Sequence, residues 1–310
     1  MKNLHLPHPE DSILTGDLSV LDWFIEPGNL SVKIDGAPAI VWGRNPATGN
    51  FFVGTKSVFN KKLIKINETH CDIDRNHSGR VADILHACFD YLPRTNRIIQ
   101  GDFIGYGGSD TFHPNTITYK FFEEVEQKII IAPHTHYTFT EFQLRNAKEL
   151  HEIHGNVLGF AVANPMLFTI TDTAYCKFVK PDAWIVHNQE SFADVKEVCD
   201  FARQMSTLVN FVSNKEAAKI TKQLNDCIRE GREINSKEFD CDYLLIEFWL
   251  LIKSIKEDCL FLCRNSGPEA YIGYDRIDAE GYVMTNEFGM FKLVNREVFS
   301  RSNFIMEKAW

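Results

Sequence analysis

The sequence predicts an α+β protein, and three observations carry that prediction. Short apolar, β-branched runs punctuated by Gly, Pro and Asp turns fill residues 1–185 and return over 266–304. Between them, from about Ser191 to Cys263, glycines are few, Lys and Glu are many, and apolar residues recur three and four apart, as on helices. No repeat appears at the periods that solenoids or propellers need. The expected organisation is a β-rich body of 1–190 and 266–310, interrupted by a helical insertion lobe of 191–265.

Each element follows from local pattern. Strands are expected at Leu30–Ile34, Ala39–Gly43, Phe51–Gly54, Arg97–Ile104, Thr116–Phe121 and Lys128–Ala132. Pro46-Ala-Thr-Gly49 lies between two of these runs, so residues 40–54 read as a hairpin. Gly105-Tyr-Gly-Gly108 reads as a turn, because no helix with Lys or Ser follows to make a phosphate cradle of it. His77–Tyr91 has helical spacing, with Val81, Ile84, Leu85 and Cys88 on one face. In the helical segment, Phe192, Val195, Val198 and Cys199 begin one apolar face, and Leu244, Ile246, Trp249, Leu250 and Ile252 belong to another. Asn265-Ser-Gly-Pro268 closes it, and strands resume at Tyr271–Tyr274, Gly281–Thr285 and Phe291–Val294.

Composition narrows the function classes. The chain has 310 residues, 44% of them hydrophobic, which is ordinary for a folded domain and excludes disordered or collagen-like classes. The longest apolar run, Tyr243–Ile255, contains Glu247 and Lys253 and is too short to cross a bilayer. The opening MKNLHLPHPED has no apolar signal core, and the eight cysteines form no CxxC pair, so a cytoplasmic protein with reduced thiols is expected. The formal charge of −9 argues against a protein that coats nucleic acid over its whole surface, but leaves room for a local basic groove.

Four patterns carry chemistry. In Lys33-Ile-Asp-Gly36 a strand runs into a glycine turn, so Lys33 and Asp35 should share one strand face; a desolvated lysine there can act as a nucleophile, and otherwise it is a solvated turn residue. Glu280-Gly-Tyr-Val283 places a carboxylate at the start of a strand, with Lys292 twelve positions on in the next, an arrangement that could equally be an ordinary hairpin. Asp102, in Gly101-Asp-Phe103, stands within an apolar strand, where a carboxylate needs a partner or a ligand. Thr55-Lys56 ends a hairpin strand, and Lys56, Lys61, Lys62 and Lys65 form a basic run that either guides phosphates or is a solvated face. His134-Thr-His136 could offer two metal ligands on one strand, but lacks a third at matching spacing. His151-Glu-Ile-His154 has the wrong spacing for a zinc helix and reads as a solvated turn.

Taken in order, these motifs resemble those of the covalent nucleotidyltransferases: ATP-dependent DNA ligases, RNA ligases and mRNA capping enzymes. Lys33-Ile-Asp-Gly36 is similar to the nucleotidyl-lysine motif, Thr55-Lys56 to the short Ser/Thr-Arg/Lys motif, and Gly101-Asp-Phe103 to the Gly-Glu-Leu/Phe strand. Glu280-Gly-Tyr-Val283 resembles the Glu-Gly-x-Val motif in its RNA-ligase form, and Lys292 the distal Lys-x-Lys. Departures are Pro38 where the family often has Arg, a single distal lysine, and a long third-to-fourth interval.

The resemblance implies a nucleotidyltransferase (ATP-grasp-like ligase) fold, in which antiparallel sheets form a nucleotide cleft. It implies an ATP-dependent RNA ligase, with an ATP-dependent DNA ligase as the alternative, and Mg²⁺ or Mn²⁺ as cofactor. Lys33 would be the nucleophile, with Glu280 and Lys292 also catalytic. Ser31, Asp35, Gly36, Thr55, Lys56, Asp102 and His134 would bind the nucleotide; His134 or Tyr137 would stack on the base, and Glu280 and Asp102 would lie near the metal. The partners expected are nucleic acid with 5′-phosphate and 3′-hydroxyl ends, no membrane, and a helper protein in place of an OB-fold, since the chain stops eighteen residues after Lys292. The helical lobe would serve the acceptor strand, or else shield the sheet's apolar face. Two other readings remain: a decayed ligase fold that only binds nucleotide or polynucleotide, and an enzyme that adenylylates another acceptor.

Overall fold

The computed structural model describes residues 6–186 and 189–299, with the side chains of 189–193 left aside. The chain is α+β, with several open and mostly antiparallel sheets. It divides into two compact units: unit 1 is Ile34–Lys180, and unit 2 combines Leu4–Lys33 with Pro181–Trp310. This grouping by packing places the helical segment together with the first and last strands, whereas the sequence blocks set it apart.

The chain opens unit 2 with two short helices, α1 (Pro9–Ser12) and α2 (Ser19–Ile25), and a strand, β1 (Asn29–Lys33). Unit 1 follows: β2 (Ala39–Arg44), β3 (Phe51–Gly54), α3 (His70–Asn76), α4 (Gly79–Tyr91), β4 (Ile98–Tyr106), β5 (Ser109–Phe112), β6 (Ile117–Val125), β7 (Ile129–Thr138), α5 (Glu141–Arg145), α6 (Ala147–His154), β8 (Val162–Pro165) and β9 (Cys176–Phe178). The expected 40–54 hairpin is present, with Trp42 opposite Val53. The main sheet runs β3-β2-β4-β7-β8, antiparallel throughout, and β9 adds to β7 in parallel.

One face of that sheet is sealed by α3 and α4. Ile73, Ile84, Leu85 and Cys88 meet Trp42, Val53, Ile99, Phe103 and Ile131 in a core whose members are almost fully buried. The expected face of α4 is therefore the buried one, apart from Val81, which is partly exposed. The other face carries a smaller core of Val41, Phe52, Ile98 and Leu158, and beside it a polar stretch that includes Gln100 and Asp102.

Unit 2 resumes with β10 (Ala183–Ile185), α7 (Gln189–Ser206), α8 (Asn214–Glu230), α9 (Tyr243–Leu262), β11 (Cys263–Asn265), β12 (Glu269–Ile272), β13 (Asp275–Ile277), β14 (Gly281–Asn286) and β15 (Gly289–Leu293). The start of α8 is fixed by a capping box between Ser213 and Glu216, and its end by Gly231 in the left-handed conformation. Strands β1, β14 and β15 form one sheet. Its apolar face, with Tyr282, Met284, Phe291 and Leu293, shares a core with Trp23 and Phe24 of α2, Leu224 of α8, and Phe248, Trp249 and Ile252 of α9. The helices thus cover the sheet's apolar face. Phe192, expected on that helical face, lies outside the described side chains.

After β15, residues 296–299 are helical, and Arg296 is buried in an ionic cluster. Residues 300–310 lie outside the described part. All eight cysteines are free thiols, and among the described residues no helix is long and apolar enough to cross a membrane.

Candidate functional site

In unit 2, register brings together several of the predicted residues. Lys33 pairs with Gly281, Ser31 with Val283, and Val283 with Lys292. Alternation along the strands sends Leu30, Val32, Tyr282 and Leu293 into the core and leaves Ser31, Lys33 and Lys292 on the opposite face. Two segments far apart in sequence therefore meet: Lys33 Nζ donates to the carboxylate Oε2 of Glu280. Glu280 is nearly buried, while the Lys33 side chain keeps about a third of its exposure. Ser31 Oγ reaches only the carbonyl of Val283, at 3.4 Å.

Gly281 makes this approach feasible. Its φ of +150° is one that side chains avoid, and a Cβ there would stand 2.3 Å from the carbonyl oxygen of Leu293. Lys292 is held below its usual pKa, first by burial and next by repulsion from Lys33 and Arg296. Two ammonium groups near one carboxylate make this face attractive to an anion.

Beneath Lys292 lies an ionic cluster that the sequence reading missed. Lys292 N–H donates to the carbonyl of Pro7, and the chain then brings Glu10 and Asp11 inward. Glu10 accepts from Lys256 at 2.6 Å and from Arg296 at 3.1 Å. Arg296 also donates to Asp11 at 2.8 Å and to Asn225 at 2.5 Å. Trp249 Nε1–H completes the group by donating to Asp11. Burial pushes the Lys256 ammonium below its usual pKa, with Glu10 opposing that shift. His8 is held far below its usual pKa, first by burial and then by Arg296, Lys292, Lys256 and Lys33. Glu10 lies 3.8 Å from its Nδ1 and would favour protonation, but its charge is already matched by Lys256 and Arg296. The signal available in sequence was Lys256, a charge on the apolar side of α9.

Unit 1 gathers most of the remaining predicted residues at one end of its main sheet. Ala39 pairs with Asp102 and Val41 with Gly54, so Asp102 and the Thr55-Lys56 turn stand at the same end of neighbouring strands. Thr55 caps the short helical turn Lys56–Phe59 through its side chain. Gly36 lies against β4, where a Cβ would come 2.6 Å from the carbonyl of Phe103 and 3.1 Å from Cβ of Asp102. Ala37 N–H donates to Phe103 O, and Phe103 N–H to Pro38 O.

The strand does not extend to Asp35 as expected. It ends at Lys33, whose partner Gly281 is the first residue of β14, so Lys33 and Asp35 do not share a strand face. Asp35 instead receives Asn115 Nδ2–H on its carboxylate and donates its backbone N–H to the Tyr119 hydroxyl.

His134 sits at a β-bulge. Register passes from Gln100–Thr135 to Gly101–Pro133 and leaves it unpaired, which turns its ring toward Asp102, with Nε2 at 3.7 Å from Oδ1. That contact is too long for a hydrogen bond. Tyr137 is occupied structurally: its hydroxyl donates to Gln100 and its ring packs on Phe59. His136 packs edge-on against Phe168. Of the basic run, Lys65 donates to the Asn76 carbonyl, while Lys61 and Lys62 are exposed.

Open, mostly antiparallel sheets thus carry a strand-end lysine held by a carboxylate, with a second lysine on the same sheet face. The chain belongs to the family described as "Family of unknown function (DUF6267)", whose model matches residues 3–244 and 240–308. No curated protein and no solved structure matches it.

Proposed function

We propose that the chain is an ATP-dependent polynucleotide ligase of the nucleotidyltransferase fold, joining RNA ends through a lysyl-AMP intermediate, as in RNA repair. The observation that carries this reading is the meeting of Lys33 with Glu280 and Lys292 on one sheet face. In unit 1, Gly36, Asp102, His134 and the Thr55-Lys56 turn at one sheet end also support it. The RNA-ligase form of Glu280-Gly-Tyr-Val283 favours RNA over DNA.

Lys33 must first lose a proton, because only the free amine attacks. Lys33 Nζ donates to Glu280, and Lys292 stands on the same sheet face. Lys33 Nζ then attacks the α-phosphorus of ATP: the N–P bond forms, the bond to the bridging oxygen breaks, and pyrophosphate leaves. Lys292 neutralises charge gathering on the phosphate oxygens. AMP next passes to a 5′-phosphate, and a 3′-hydroxyl displaces it.

A hard carboxylate suits Mg²⁺, which takes one or two carboxylates and completes its shell with water and substrate phosphates. Glu280 fits that demand in unit 2 and Asp102 in unit 1, although no group of three or more ligating side chains occurs among the described residues. When bound, the ion supplies charge neutralisation at the phosphates.

The test is incubation with α-labelled ATP and Mg²⁺, followed by denaturing electrophoresis. Label that stays on the protein, is released by acid but not alkali, and disappears in Lys33→Ala supports the reading. Label retained by Lys33→Ala would falsify it. Sealing of single-stranded RNA against nicked duplex DNA then separates the acceptors.

A further inference from the structure

On α3 and α4, away from all of these residues, His70 and His86 are each followed four positions later by an aspartate, Asp74 and Asp90. The structure crosses the two pairs. His70 Nε2 meets Asp90 Oδ1 at 3.0 Å, and His86 Nε2 meets Asp74 Oδ1 at 2.9 Å. The two Nδ1 atoms stand 2.7 Å apart. The ring centroids are 5.0 Å apart with planes inclined by 19°; that separation is the nitrogen distance plus the two ring radii, so the nitrogens point straight at one another. Phe89 packs edge-on against His70 and closes one side.

Proton counting defines what this arrangement needs. An ionised carboxylate only accepts, so each Nε2 is a donor. Both Nδ1 atoms are then lone-pair sites facing each other, and a cation must lie between them. A single shared proton serves. A metal ion serves as well: imidazole nitrogens suit Zn²⁺ and Cu²⁺, and a carboxylate on the far ring nitrogen is the usual support of a metal-bound histidine.

We infer that His70 and His86 form a binding site for a divalent transition metal such as Zn²⁺, with Asp90 and Asp74 orienting the two ligands. Bonds of about 2.0–2.1 Å in tetrahedral geometry require the two nitrogens to separate to roughly 3.4 Å. Half-exposed side chains on two helices can make that shift. Two protein ligands leave the remaining positions to water or to a further donor, which makes the site open.

The experiment titrates the full chain, stripped of metal, with Zn²⁺ by calorimetry. The expected result is one equivalent bound. That equivalent is lost in His70→Ala and in His86→Gln, and Asp74→Asn or Asp90→Asn weakens it about 10–100-fold. Far-UV circular dichroism checks that each variant is folded; if His70→Ala is not, His86→Gln alone decides. Wild-type protein that binds no equivalent, or a folded His86→Gln that binds as wild type does, overturns the site.

Discussion

The ionic cluster under Lys292 should be costly to break on one side only. Glu10 and Lys256 are fully buried, and Arg296 is 2% exposed; with Asp11 the four charges sum to zero. Glu10→Gln leaves Lys256 in an apolar setting without its counter-charge. Breaking one partner of such a buried pair costs about 3–5 kcal/mol. An independent bound agrees. Rather than stay charged, Lys256 can shed its proton at pH 7; from an ordinary value of 10.5, that costs at most roughly 5 kcal/mol, at about 1.4 kcal/mol per pH unit. For a domain of this size the midpoint should fall by about 6–20 °C. Replacing both partners, Glu10→Leu with Lys256→Met, should restore most of the loss, because no charge is then stranded. Urea and thermal unfolding followed by circular dichroism measure both variants. A Glu10→Gln protein within about 1 kcal/mol of wild type would show that the cluster is solvated and the reasoning wrong.

Other outcomes follow from the same geometry. Glu280→Ala and Lys292→Ala should each cut lysyl-AMP formation by about 10² or more while melting near wild type; normal capture by both would reduce the β14–β15 motifs to hairpin residues. Gly281→Ala should cost about 3 kcal/mol or more in urea unfolding, since its φ is strained for a side chain and its Cβ collides with Leu293 O; an unchanged midpoint would contradict the register. His8 stays neutral in the folded state, whereas the unfolded chain binds a proton below about pH 6.5. Stability is therefore lost as pH falls through that value, by about 1.4 kcal/mol per unit, and His8→Leu should flatten that slope in urea titrations between pH 7 and 5. Deleting 191–265 should leave unit 2 unfolded, because it bares Tyr282, Met284, Phe291 and Leu293; a deletion protein whose β1–β14–β15 amides stay protected in hydrogen exchange would show that the helices are dispensable.

What was legible from sequence was local. The 40–54 hairpin, the α4 face and the strand carrying Lys33 all follow from period and turn chemistry, and their ends fall within a residue or two of expectation. The link between Lys33 and Glu280 was legible only through motif order, since no local pattern measures a separation of 247 positions. Less visible were elements whose signals are weak alone. The short helices α1 and α2 carry no long apolar stripe, and the bulge at His134 depends on a partner strand. Asp35 was misplaced because alternation was carried past the point where the partner strand begins. The Glu10–Lys256–Arg296 cluster joins three distant segments, each reading as an ordinary solvated charge.

The division at Lys33 and Lys180 also governs the order in which the chain can assemble during synthesis. Among the described residues unit 1 is one uninterrupted stretch, so it can complete its core while the ribosome is still making the rest. Unit 2 cannot. Its first strand and Glu10 emerge early, yet the partners they need lie 247 and 246 positions downstream. At about 5–20 residues per second, that is a wait of roughly 12–50 s. Throughout it, β1 presents an unpaired edge, and two acidic side chains destined for burial remain in water. The newborn chain therefore passes through a state with one finished unit and one open strand, and that strand is where a chaperone would be needed most.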